Sequence, residues 1–401
     1  MSYRDPDFLR GQIAAIMGFY APVCIDREAG GYFNAFRDDG TIYDRSTRHL
    51  VGTCRFLYNF ALSAMLFGEA CYREGAAHGL AFLTECHRQP DGGFAWVLDG
   101  RAVADGTRAC YGHAFVLLAA AGATKADVPG ARALVDEVWD LLERRFFEPQ
   151  HGLYVDEIAA GDWSAVSPYR GQNCNMHMCE AMLAAFEATG EARFLDRAEL
   201  LARRICVELS AASGGLVWEH YRTDWTPDWD YNRDDPKNLF KPYGYLPGHF
   251  VEWAKLLVII DRHRPDAWHL PAAERLFAVA HEKAWDPARG VLAYSFAPDG
   301  TVLDHDRYYW VTSEAFAAAA LLALATGKAS YWDWYDRHWA YADRHFIDHA
   351  RGGRYRVLDP GGNRYSDEKS PPAKTDYHPL GACFETLEAL RLAESGLRSF
   401  Q

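Results

Sequence analysis

A chain of 401 residues with 49% hydrophobic and 24% charged side chains, 33 Gly and 18 Pro has an ordinary globular composition with material for a sizeable core. Its 42 Lys and Arg stand against 55 Asp and Glu, a net charge of −13 with no basic run, which argues against nucleic acid as a partner. Nine cysteines, an odd number lacking any C-x-x-C pair, read as reduced, buried thiols. The segment Met1–Asp7 is acidic and contains Pro6 where a secretory leader would be basic and then apolar. No uninterrupted apolar stretch reaches the roughly 18 residues of a membrane span, so a cytoplasmic protein without a membrane partner is expected.

Along the chain a glycine turn followed by an aromatic or β-branched segment recurs six times. The copies are Gly30-Gly31-Tyr32-Phe33, Gly92-Gly93-Phe94, Gly152-Leu153-Tyr154-Val155, Gly214-Gly215-Leu216-Val217-Trp218, Gly290-Val291-Leu292-Ala293-Tyr294 and Gly352-Gly353-Arg354-Tyr355. Their spacing, about 60 to 75 residues, accommodates two helices per copy and predicts twelve in all. Each turn precedes a second shared element, an Ala- and Leu-rich helix with a polar or aromatic opening. In order these openings are Thr47-Arg48-His49, Tyr111-Gly112-His113, Asn173 to Glu180, Gly248-His249 to Glu252, Trp310 to Glu314, and Tyr377-His378. Bodies such as Ala315 to Ala325 are apolar nearly all round and belong inside, whereas Asp196 to Ile205 carries a charged face and belongs outside. Two concentric rings of six helices satisfy both demands. The expected fold is therefore an all-α (α/α)6 barrel spanning 1–401 as one domain, with short β-hairpins at one end.

If six equivalent openings surround one mouth, their side chains form a single pocket. It would collect His177, His249, His378, Glu180, Glu252, Glu314, Arg48, Asn173, Tyr111, Trp310 and Tyr377. This mixture suits a polyhydroxylated ligand. Histidine, with an unperturbed pKa of about 6.5, can take and return a proton near neutrality. Glu180 follows His177, and Glu252 follows His249, at i+3, so each carboxylate could hold its imidazole in one tautomer. Single histidines are usually structural, and His49, His113 and His151 keep that reading. Trp310 and Tyr377 are either core or sugar-stacking groups, and Arg48 either pairs with a wall carboxylate or stabilises an anion. No H-E-x-x-H occurs and no two of the pocket histidines share a helical turn, which argues against a bound metal. Nor is there a P-loop, a dinucleotide fingerprint or a nucleophile elbow.

The run Pro247-Gly248-His249-Phe250-Val251-Glu252-Trp253 resembles the P-G-H-x-x-E-W hallmark of the N-acylglucosamine 2-epimerase superfamily. Asn173 to Glu180 resembles its N-x-x-x-H-x-x-E element and Trp310 to Glu314 its W-x-x-x-E element. The flank before Pro247 and the run Lys369 to His378 look most like the branch of mannose and sulfoquinovose isomerases, which is close to mannose 2-epimerases. The resemblance covers essentially the whole chain. It implies an (α/α)6 barrel with no metal, nucleotide or other cofactor. It also implies His249 and His378 as an acid–base pair working through a cis-enediolate. Arg48 and His177 are implied as contacts to substrate oxygens, and Glu252 and Glu314 as groups orienting the histidines or the sugar.

On that basis the chain is expected to interconvert D-mannose and D-fructose, or a closely related hexose. A 2-epimerase shares the intermediate and returns the proton to the opposite face of C2. An inverting glycosidase would instead rest on two carboxylates such as Glu252 and Glu314, about 6.5 to 9.5 Å apart. A sugar binder would show no turnover. The expected partner is a small hexose, with a homodimer left open.

Overall fold

Twelve α-helices alternate between an inner and an outer ring in the computed structural model, which describes residues 2–238 and 240–396. The inner helices are α2 (Leu50–Phe67), α4 (Cys110–Lys125), α6 (Gln172–Thr189), α8 (Pro247–His263), α10 (Tyr309–Thr326) and α12 (Tyr377–Ser395). Each packs on the next, and α12 returns to α2, so the ring closes. The outer helices are α1 (Pro6–Tyr20), α3 (Ala70–Phe82), α5 (Ala131–Arg145), α7 (Ala192–Arg203), α9 (His269–Ala284) and α11 (Ala329–His345). This is the (α/α)6 barrel expected from the repeats.

Side-chain size decides which helix sits where. In α10 the run Ala315 to Ala320 is buried on every side, because small residues let an inner helix touch neighbours in both rings. In α7, Phe194, Leu195, Ala198, Leu201 and Ala202 form one buried stripe while the opposite face is charged. Both α2 and α10 are long and apolar enough to cross a bilayer, but 78% and 83% of their apolar windows lie inside the barrel. Their composition is therefore that of a barrel interior. Eight cysteines are buried and Cys71 is exposed.

The strands do more than the expected hairpins. Glycine turns do close hairpins, as where Phe147–Glu148 pairs with Leu153–Tyr154 and Trp285–Asp286 with Val291–Leu292. Other short strands stitch consecutive repeats together at one end of the barrel. Thr47–His49 pairs with Val97–Asp99, Arg108–Ala109 with Glu157–Ile158, Arg170–Gly171 with His220–Tyr221, and Arg307–Tyr308 with Val357–Leu358. In each pair the first strand ends where an inner helix begins. The last pairing, Ala35–Arg37 with Glu368–Ser370, joins the two ends of the chain and completes the circle. Helix openings are thus held by backbone hydrogen bonds, which fixes the side chains they present.

Candidate active site

The helix openings enclose a cavity of about 420 Å³ at the stitched end of the barrel. His177, His249 and His378 all line it, together with Tyr111, Asn173, Glu252 and Trp310. The ring of Trp310 lies 5.5 Å from that of His249 and 5.5 Å from that of His378, while the His177 and His378 rings are 6.3 Å apart. Three imidazoles distant in the chain therefore meet at one small space. Gly248 makes the Trp310 position possible, since a Cβ there would overlap the indole ring.

Each imidazole has a carboxylate behind it. His378 Nδ1 lies 2.7 Å from Glu314 Oε1, and His177 Nδ1 lies 3.1 Å from Glu180 Oε2. The His249 partner is not the expected Glu252 but Glu219, both of whose oxygens are 3.0 Å from Nδ1. Trp253 Nε1 donates to Gln172 Oε1, which turns the Gln172 amide nitrogen toward Glu219 Oε2 at 2.9 Å. We assign Nδ1–H to all three histidines, because a carboxylate can only accept; the Gln172 amide nitrogen, also 2.9 Å from His249 Nδ1, is taken to donate to Glu219, and Nε2 is then the free nitrogen in each. Glu252, one turn beyond His249, instead approaches His177 Nδ1 at 3.7 Å. Glu314 stands behind His378 and does not line the cavity.

Arg48 is the clearest correction. It is fully buried in the wall, where its guanidinium lies 2.6 Å from Asp26 and 4.9 Å over the Phe33 ring, away from the cavity. Successive residues of an extended strand face opposite ways, so the neighbouring His49, read as structural, is the one that lines the cavity. The arginine that lines the pocket is Arg55, in the second turn of α2. It donates to the Ala373 carbonyl at 2.8 Å and to the Tyr111 hydroxyl at 3.1 Å. The other two histidines read as structural do not line the cavity, and His113 is tied to the Ala109 carbonyl and the Phe94 amide. Tyr377 packs beside His378 with ring centroids 4.9 Å apart, and does not line the cavity.

Burial shapes the ionisation of these groups. It drives His378 well below the ordinary imidazole range, helped by the charge of Arg55, and it also lowers His177 against the pull of Glu180. Burial and the nearby Glu314 push Glu252 well above the usual carboxylate range. Two more groups on the cavity wall are held near neutrality by burial: Asp156 is raised to about 7 and Lys374 is lowered to about 7. Neither oxygen of Glu252 nor Oδ1 of Asn173 has a protein hydrogen-bond partner. Such buried acceptors are available to a ligand's hydroxyls.

Ligand atoms of His177, Glu180 and Glu252, and of Glu252, Glu314 and His378, gather within 4.8 Å of one another. These are the sets best placed to hold a cation. The ammonium of Lys255 already lies 2.6 Å from Glu314.

Residues 31–382 match the N-acylglucosamine 2-epimerase family. The chain belongs to that family. The D-mannose isomerase of Marinomonas mediterranea is 50% identical over 396 residues, covering 98% of this chain and 100% of the relative. A crystal structure of a D-mannose isomerase has a TM-score of 0.95 at 48% identity, covering 97% of this chain and 99% of the other. Cellobiose 2-epimerase from Bacillus thermoamylovorans shares the fold, with a TM-score of 0.85 at 20% identity over 96% of this chain and 98% of its own.

Several functional residues of this epimerase-family barrel escape the sequence reading. Glu219 sits directly after Trp218, at the end of the fourth glycine-turn segment, and Asp156 follows the third at the equivalent place. An acid recurring after the turn is the signal that marks both. Arg55 has no such signal, being buried within the body of an apolar helix.

Proposed function

We propose that this chain interconverts D-mannose and D-fructose, using His249 and His378 as the acid–base pair. The carrying observation is that both imidazoles bind a buried carboxylate through Nδ1 and leave Nε2 free at one sugar-sized cavity. The high identity to a D-mannose isomerase over the full length supports the choice of sugar.

The C2 proton of an aldose is weakly acidic, so a base must reach it while donors steady the charge growing on O1 and O2. One histidine assists ring opening. The pair then moves the proton from C2 to C1 through a cis-enediolate. Arg55, the guanidinium lining the cavity, takes the anion-stabilising role first expected of Arg48. Glu252 and Asn173 offer acceptors for sugar hydroxyls. Trp310 and Tyr111 supply apolar surface for the sugar's C–H face. This chemistry calls for neither metal nor nucleotide, and we place it in the cytoplasm, where buried thiols stay reduced.

A glycosidase reading meets an obstacle in Glu314. Its oxygens face His378 and Lys255, at 2.7 and 2.6 Å, and one of them lies within 4.8 Å of Glu252. An inverting pair needs about 6.5 to 9.5 Å and access to the scissile bond from both sides.

The test is incubation with mannose in D2O with a chelator present, followed by NMR of the products. Fructose carrying deuterium at C1 is expected, whereas glucose labelled at C2 would make the enzyme an epimerase. No conversion of mannose, fructose, glucose or sulfoquinovose would remove the proposal.

A further inference from the structure

Lys255 follows Glu252 by three residues on α8 and lies beneath the cavity floor, only 4% exposed and outside the cavity lining. Its Nζ is 2.6 Å from Glu314 Oε2 and 3.7 Å from Glu180 Oε1. The remaining oxygens of those two carboxylates are the ones that hold His378 and His177. One ammonium thus backs two carboxylate–imidazole pairs that come from three other inner helices. We propose that Lys255 is a positioning residue, the built-in counter-ion that keeps Glu180 and Glu314 ionised and thereby locks His177 and His378 in the Nδ1–H form.

The reasoning begins with charge. Glu180, Glu252 and Glu314 crowd one buried region, and like charges in a low-dielectric interior drive one another to take up protons. A protonated carboxyl group is a weaker acceptor and can donate instead, which would release the imidazole tautomer it now dictates. Clusters of carboxylate and imidazole at this spacing commonly enclose a divalent ion. Here the ammonium sits against two of the carboxylates, so the positive charge is part of the chain. Burial opposes ionisation of Glu180, yet Lys255, first among the favourable charges, holds its carboxyl well below the usual range. Burial raises Glu314, and Lys255 is the leading charge opposing that rise.

Other titratable groups face Lys255 from several directions. Glu252 lies on its own helix, with Glu180 on α6 and Glu314 on α10. Across a second, small cavity that shares none of the active-site lining are Tyr58 of α2, Lys125 of α4, Glu187 of α6 and Glu385 of α12. Glu187 is already held by Lys125, Arg262 and His263, so it does not compete for this ammonium.

The inference rests on the isomerase reading for its kinetic arm alone. Lys255→Met keeps side-chain length and removes the charge. Its kcat on mannose is expected to fall about 10- to 100-fold, as when outer partners of a site histidine are lost, with KM within about twofold. The acid limb of its pH–rate profile should move to higher pH, and Lys255→Arg should recover part of the loss. Independently, 15N NMR of histidine-labelled protein should show His177 and His378 as Nδ1–H tautomers in the parent and as mixtures in Lys255→Met. If Lys255→Met does not fold, Glu180→Gln/Lys255→Met, which removes one charge of each sign, carries the same expectation for His378. A folded variant with unchanged tautomers and an unchanged pH profile overturns the proposal, whatever its absolute rate. If the parent protein turns over no hexose, the isomerase reading falls while the NMR still decides the role of Lys255.

Discussion

Glu219, at the end of the glycine-turn segment of the same repeat, holds His249, both carboxylate oxygens lying 3.0 Å from the imidazole Nδ1. Without that acceptor the ring is free to carry its proton on either nitrogen, and only one tautomer leaves Nε2 available as a base. Glu219→Gln preserves the shape and removes the charge. We expect kcat to drop about 10- to 100-fold with a small change in KM and an unaltered far-UV spectrum. Steady-state kinetics on mannose checks this, and wild-type kcat would show that Glu219 does not orient the base.

The two arginines of the first repeat should separate cleanly. Arg55 lines the cavity with donors aimed at Tyr111 and Ala373, so Arg55→Met should cost about 100-fold or more in kcat, the scale seen for loss of one oxyanion donor. Arg48→Met instead strands Asp26, whose side chain is 9% exposed, and should lower stability by about 3 to 5 kcal/mol while folded protein keeps its turnover. Thermal melts read beside activity per folded molecule distinguish the two. Equal kinetic loss in both variants would contradict the assignment.

At Gly248 a single methyl group should disturb the site directly. Gly248→Ala forces the Trp310 ring away from His249 and His378, which overpacking usually turns into about 1 to 3 kcal/mol of destabilisation. Turnover should fall with it. A crystal structure of the variant with Trp310 unmoved and activity intact would refute the packing argument.

Stability should fall in acid for an identifiable reason. Burial holds His87, His113 and His281 down to about 4 and His49 to about 3, against about 6.5 in a free chain. Because each folded pKa is depressed, the unfolded chain binds more protons between those values and about 6.5. The stabilisation is complete above about pH 6.5 and is lost as pH falls toward 4. His281 adds a steric version of the same rule. Its Nδ1 donates to the Phe277 carbonyl at 2.7 Å, so its Nε2 must stay bare to accept from His338 Nε2 at 2.8 Å. Melting temperature measured across that range should drop steeply, and a flat profile would mean that these histidines titrate normally.

Much of this molecule was written in periodicity. Ala315 to Ala325, apolar nearly all round, announce an inner helix, and the glycine turns count the repeats. Symmetry then brings His177, His249 and His378 to one mouth, and the spacing of His177 and Glu180 yields their pairing directly.

What tertiary structure alone decided is direction. Strand pairing ends at His49 and α2 starts at Leu50, so Arg48 turns outward and Arg55 turns to the axis, a choice that depends on a boundary of one residue. Glu252 approaches His177 on α6 of the preceding repeat and not its own His249, a contact between helices that i+3 spacing within α8 does not encode. Glu219 and Lys255 reach their partners across gaps in sequence that no local period encodes. Side-chain spacing specifies contacts within an element; contacts between elements follow from how the ring closes.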